Sequence, residues 1–184
     1  MGLRGVNKMF RYALILMTIC LVSAFVLAGT YKVTHPVYLE QMLEEEKQAL
    51  GEILPKAVDF KERQYCDSSY FVGRDIQGKT VGYIIRAETN GYSSIIKMLV
   101  GIDAEGTIVG IKILSQQETP GLGAKITEVR SGKKKPWFIQ QFKGKNFKDL
   151  NLENIESITA ATITSQAIVE GLKKEISKIL PYLK

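Results

Sequence analysis

Between Arg11 and Lys32 the chain carries no charged residue. This stretch, YALILMTICLVSAFVLAGTY from Tyr12 to Tyr31, constrains the fold more than any other feature. Its length matches the roughly 20 apolar residues that an α-helix needs to cross a bilayer core. Such a helix closes its backbone hydrogen bonds within itself, which lipid cannot do for it. Tyr12 and Tyr31 fall where interfacial aromatics belong. Arg4, Lys8 and Arg11 precede the segment and no acidic residue does. The positive-inside rule then predicts a cytoplasmic N-terminus, with the remainder exported. A cleaved signal peptide is the rival, with Ala24, Ala28 and Gly29 as its small residues. Signal h-regions run only about 7–15 residues, so a retained single-pass anchor is the expectation.

The 184 residues then divide into a basic N-terminus (1–11), the anchor (12–31), a juxtamembrane helix (32–56) and an extracytoplasmic domain (57–184). In the helix, Thr34 is a candidate cap, Pro36 suits a first turn and Pro55 ends it. Its stripe of Leu39, Met42, Leu43, Leu50, Ile53 and Leu54 either lifts the domain off the membrane or packs on a partner. From Ala57 the texture is β. Two strands are expected around a turn at Asp75–Lys79, with Val81, Tyr83, Ile85 and Ala87 alternating. Two stronger β-branched runs flank Asp103-Ala104-Glu105-Gly106, a hairpin with glycine available for positive φ. Around Trp137, Phe138 and Phe142 a short helix is expected. From Gln166 to Leu183, Ile168, Leu172, Ile176, Ile179 and Leu183 recur at helical spacing and predict an amphipathic helix on a core. The expected class is α+β: a mostly antiparallel sheet with packed helices, plus one N-terminal transmembrane helix.

Much chemistry is excluded. His35 is the only histidine and lies beside the anchor, which removes Ser-His-Asp catalysis and most transition-metal sites. Cys20 lies within the anchor and Cys66 alone outside it, so no disulfide framework is available. Cys66 reads as a packing residue. The net charge is +6, and Lys133, Lys134 and Lys135 form a basic cluster. No nucleic-acid-binding motif accompanies them. GLGAKI misses the dinucleotide fingerprint because Ile126 stands at the third glycine position. The glycines of Pro120-Gly121-Leu122-Gly123 serve either a tight turn or a close approach to a ligand.

Five hydroxyls, Ser157, Thr159, Thr162, Thr164 and Ser165, gather in nine residues just before the last predicted helix. Exposed amides at a helix N-terminus attract phosphate. The plainer reading is that the hydroxyls cap the helix and bond locally to the backbone.

The run Glu156-Ser157-Ile158-Thr159-Ala160-Ala161-Thr162 resembles the flavinylation motif of exported FMN-binding domains: an acid, two variable positions, Ser or Thr, a small residue, Ala, Thr. Glu156 replaces the usual Asp, and Ala160 the common Gly. QETPGLGAKI resembles a second signature of that family. The hairpin, the aromatic helix and the single anchor match as well. The chain as a whole resembles the G-subunit family of the Rnf-type ion-translocating electron-transport complex, a relative of the C subunit of the sodium-translocating NADH:quinone oxidoreductase. The resemblance implies FMN joined through its phosphate to Thr162, installed by a separate flavin transferase with FAD as donor. It implies a site that also includes Thr159, Ala161, Glu118, Thr119, Gly121, Leu122 and Gly123. Thr164 and Ser165 are expected as caps. The chain would relay electrons among other membrane subunits, with ferredoxin and NAD as terminal partners and Na⁺ or H⁺ pumped. No catalytic residue, metal or nucleic acid is implied for this chain itself. Rival functions are an anchored flavoprotein of another respiratory or reductase pathway, or a non-enzymatic assembly subunit whose hydroxyls only cap a helix.

Overall fold

The computed structural model describes residues 3–65, 68–133 and 135–183, with side chains from Met9 onward. Cys66, Lys134 and Lys184 lie outside them. The chain divides into two compact units, 1–44 and 45–184.

Helix α1 (Leu3–Ile53) supplies the first unit and opens the second. Among the described residues it is the one helix long and apolar enough to cross a membrane, with a mean hydropathy of 2.4 over its best window. Thr18 and Thr30 return their hydroxyls to the carbonyls of Leu14 and Val26 at 2.8 Å, so neither leaves a free donor on the apolar surface. The expected restart at Thr34 and Pro36 is not seen, because Pro36 lies inside one continuous helix. Proline removes one ladder hydrogen bond and crowds one carbonyl, and the remaining turns bridge that defect.

The second unit is built on a five-stranded antiparallel meander in the order β1-β2-β3-β4-β5. Its strands are β1 (Asp59–Tyr65), β2 (Ser68–Arg74), β3 (Thr80–Asn90), β4 (Ile95–Ile102) and β5 (Ile108–Ser115). Both expected hairpin turns are present. In the second, Asp103 accepts from the amides of Glu105 and Thr107 at 3.1 and 2.7 Å, and Gly106 has φ +80°.

Both faces of the sheet are covered. On one, Val72, Ile85, Met98 and Val100 meet helix α3 (Thr162–Ile179), whose Ile168, Leu172, Ile176 and Ile179 are all fully buried. The short helix α2 (Trp137–Gln140) and the turn after it add Phe138 and Phe142 to this core, their rings edge-on at 5.5 Å. On the other face, Ala49, Leu50 and Ile53 of α1, with Leu54 beyond it, bury Phe71, Ile84 and Leu99. Arg86 closes the edge of this second core. It bonds Glu46 at 2.7 Å and Glu62 at 2.6 Å, and lies over the Phe71 ring.

A row of glycines lets the end of α1 sit this low. Gly73 pairs with Gly82, and Gly101 with Gly110, across the meander. A Cβ at Gly73 or Gly82 would stand 3.0 or 3.1 Å from a Leu54 methyl, and one at Gly101 would overlap Ile53. We therefore expect opposite signs for two alanine substitutions read by thermal unfolding. Gly101→Ala overpacks this contact and lowers stability by about 1–3 kcal/mol. Gly51→Ala, on an exposed helical position with nothing within 4 Å of the new methyl, raises it by up to about 1 kcal/mol.

Candidate functional site

Glu118 is 4% exposed, and its carboxylate is the junction of three chain segments. From the β3–β4 loop it accepts the backbone N–H groups of Tyr92 at 3.1 Å and of Ser93 and Ser94 at 3.0 Å each. From α3 it accepts the Thr164 hydroxyl at 2.7 Å. Its own loop follows β5, and there Ser93 and Ser94 exchange further bonds with Gln117. Two glycines make room for it: a Cβ at Gly91 would meet Oε1 at 2.5 Å, and one at Gly123 would meet Oε2 at 2.6 Å. Burial acts to raise the Glu118 pKa. The donors from Thr164, Ser93, Tyr92 and Ser94 override it and hold the carboxyl at about 2, below its ordinary 4.5.

Helix α3 begins four residues earlier than its apolar period indicates, at Thr162, with Ala161 as N-cap. No side chain caps it. The capping role expected for Thr164 and Ser165 is therefore not seen. Thr164 is committed to Glu118, and Ser165 bonds the Ala161 carbonyl at 3.1 Å while accepting the Ile158 amide at 3.0 Å. Both are buried. Thr162 is exposed, and its hydroxyl makes no hydrogen bond among the described residues. Ala160, in the position where glycine is common, has φ +60°. The loop keeps a left-handed residue there, at a steric cost that glycine would avoid.

These segments enclose an open cavity of about 430 Å³. Of the residues expected at a site, Glu118, Thr119, Leu122, Gly123, Ala161 and Thr162 line it. Thr159 and Gly121 do not. Thr159 is exposed, and the φ of +76° at Gly121 accounts for that glycine by backbone conformation, since a Cβ there would meet open space. Tyr92, Ala160, Ile163 and Thr164 also line the cavity; Ala160 belongs to the motif and Thr164 to the hydroxyl cluster, whereas no signal in the sequence marks Tyr92 or Ile163 as site residues. Glu156 lies on the outer surface, paired with Arg130 at 3.1 Å, and Arg130 in turn stacks on Trp137 at 3.8 Å. The Gln141 side chain clamps the Glu156 backbone, accepting its N–H at 2.7 Å and donating to its carbonyl at 3.1 Å.

Leu122, Ile163 and the Tyr92 ring line the cavity beside the unbonded Thr162 hydroxyl, at a helix end whose first amides have no side-chain cap. That combination suits a ligand with a planar ring and a phosphate. Residues 91–177 match the FMN-binding domain family, a span that includes Tyr92, Glu118 and Thr162. Residues 1–53 match the RnfG N-terminal region. The G subunit of the Na⁺-translocating ferredoxin:NAD⁺ oxidoreductase complex of Acetobacterium woodii is 33% identical, over 91% of this chain and 89% of its own length. The chain belongs to the RnfG family. Another member, the G subunit of the proton-translocating ferredoxin:NAD⁺ oxidoreductase complex of Clostridium ljungdahlii, is 28% identical over 96% of this chain and 94% of its own. The crystal structure of NqrC from Shewanella oneidensis shares the fold, at TM-score 0.53 and 16% identity, covering 70% of this chain and 71% of that one. The RnfG family thus accounts for the antiparallel α+β architecture, the apolar N-terminal helix and an FMN-binding domain.

The Glu118 junction has a pH signature. A carboxyl held below its unfolded value stabilises the fold fully above about pH 4.5, and that contribution is lost as pH falls toward 2. Its size is about 3 kcal/mol. Glu118→Gln is expected to be less stable than the wild type by about that amount at neutral pH. In chemical denaturation the gap should close over this acid window, and a gap independent of pH would contradict the assignment.

Proposed function

We propose that this chain is the membrane-anchored subunit that carries FMN as a phosphoester on Thr162 and relays electrons within an ion-translocating ferredoxin:NAD oxidoreductase complex. The observation that carries the covalent reading is the division among the hydroxyls of α3's first turn. Thr164 and Ser165 are buried and bonded, whereas Thr162 is exposed, unbonded and beside the cavity.

Attachment requires a flavin transferase. The Thr162 oxygen would form a bond to the FMN phosphorus of FAD as the pyrophosphate bond breaks; AMP leaves, and the hydroxyl proton passes to a base on the transferase or to solvent. The α3 amides next to Thr162 favour the remaining phosphate charge. Leu122 and Ile163 supply apolar walls for the ring, and Glu118 fixes both loops around it. Bound FMN would supply one- and two-electron redox chemistry, tuned by these surroundings. Ferredoxin, NAD and the pumped ion would be handled by other membrane subunits, which are its proposed partners.

Two measurements test this. Thr162→Ala, made together with the transferase, should abolish flavin fluorescence in a denaturing gel, while Ser165→Ala and Thr164→Ala retain it at some cost in stability. Flavin found by peptide mass spectrometry on any residue other than Thr162 would refute the assignment. For orientation, we propose a cytoplasmic N-terminus, the anchor at 12–31 and an exported domain at the plasma membrane. A reporter that matures only after export, fused behind residue 184, should be active, and one that works only in the cytoplasm should be silent.

A further inference from the structure

Tyr92 stands at the mouth of the cavity with 70% of its surface exposed, although the loop that carries it is firmly held. Its backbone N–H is fixed on Glu118 at 3.1 Å, the amides of Ser93 and Ser94 bind the same carboxylate, and Gly91 closes the turn by donating to the Ser94 carbonyl at 2.8 Å. Gly91 leaves no space for a Cβ against Glu118. The backbone is thus fixed while the ring stays uncovered. Leu122 and Ile163, 40% and 58% exposed, share the cavity with it. Three large apolar side chains, two loops and a helix end surround one opening, next to a free hydroxyl.

We propose that Tyr92 is the aromatic wall of this site and stacks on the isoalloxazine ring of FMN. This rests on the FMN reading above and adds a residue to it. A flat aromatic ligand offers the best partner for an exposed ring, because offset stacking adds to the apolar area removed from water. A phenol in contact with a flavin has a spectroscopic consequence that aliphatic walls lack. It transfers an electron to the excited flavin and quenches its emission, and the electron returns to leave both groups unchanged.

The test uses the full-length chain produced with its transferase and purified with covalent flavin, beside Tyr92→Phe and Tyr92→Leu. Because Tyr92 is so exposed, neither variant threatens the fold. Loading is equalised from the visible absorbance of denatured protein. In the native state the wild type should be dim and brighten several-fold on denaturation. Tyr92→Phe, which retains a ring but is a much poorer electron donor, should be several-fold brighter than wild type while keeping its visible absorption band. Tyr92→Leu should be equally bright, with that band moved. Native emission unchanged in both variants at equal loading would overturn the stacking role and leave the FMN assignment standing. Absence of covalent flavin from the wild type would overturn both.

Discussion

The structure depends on one buried charge. A carboxylate taken out of water without compensation loses more free energy than a small domain has to spare, so a buried one must be paired or densely hydrogen-bonded. Glu118 has three backbone amides and the Thr164 hydroxyl, and no cation is among the groups that set its ionisation. Hydrogen bonds to a charged acceptor are the strong kind. Because the donors lie on the β3–β4 loop and on α3, while the acceptor lies on the loop after β5, one side chain fixes all three around the cavity. Neutral glutamine in that place would bring an NH₂ group toward donors that need an acceptor. The cavity's shape therefore follows from an electrostatic requirement.

The same junction sorts the hydroxyls of the SITAATITS stretch. Thr164 goes to Glu118, and Ser165 turns inward to join the Ile158 amide to the helix. The cap position falls on Ala161, which has no polar side chain, so the amides of the first turn receive no cap from the protein. Ala160 takes a left-handed φ just before it, swinging the chain into the helix at the cavity edge. Thr162 is left facing outward. A hydroxyl that another enzyme must reach has to be exposed, and one that is already a good hydrogen-bond donor to a carboxylate is a poor place to build a phosphoester. On the proposed reading, buried Thr164 and Ser165 make the site rigid, and Thr162, exposed beside the cavity, carries the cofactor.

Much of this is legible in the sequence because its signals are local. The apolar run, the Asp103–Gly106 turn and the spacing of Ile168, Leu172 and Ile176 each report a short-range geometry, and the structure has all three elements. The start of α3 is harder to read, because Thr162, Ile163, Thr164 and Ser165 are poor markers of apolar period. Their hydroxyl chemistry suggests a cap, whereas the Thr164 hydroxyl is bound to a residue 46 positions away in sequence. Tyr92 is hidden for the same reason. Its role at the cavity depends on Glu118, and no spacing rule relates position 92 to position 118. The stripe at the end of α1 suits a spacer and a partner-binding face equally well. Gly73, Gly82, Gly101 and Gly110 read one by one as weak points in strands, and only the strand register aligns them into a trough.

The two faces of the sheet are specialised in a way that follows from these contacts. On the face toward the end of α1, glycines flank Phe71, Ile84 and Leu99 and let Ile53 and Leu54 approach the strands closely. Such a contact is dense and tolerates little added volume. On the opposite face, Val72, Ile85, Met98 and Val100 pack against Ile168, Leu172, Ile176 and Ile179 of α3. Its N-terminal turn extends beyond the Ile168–Ile179 core to the loops around Glu118. The site therefore sits where packed core gives way to loops held by hydrogen bonds. That placement combines a fixed frame with exposed groups, and a site entered from solvent needs both. Tyr92 is uncovered on a loop whose backbone Glu118 holds, so exposing its ring costs the frame none of its order.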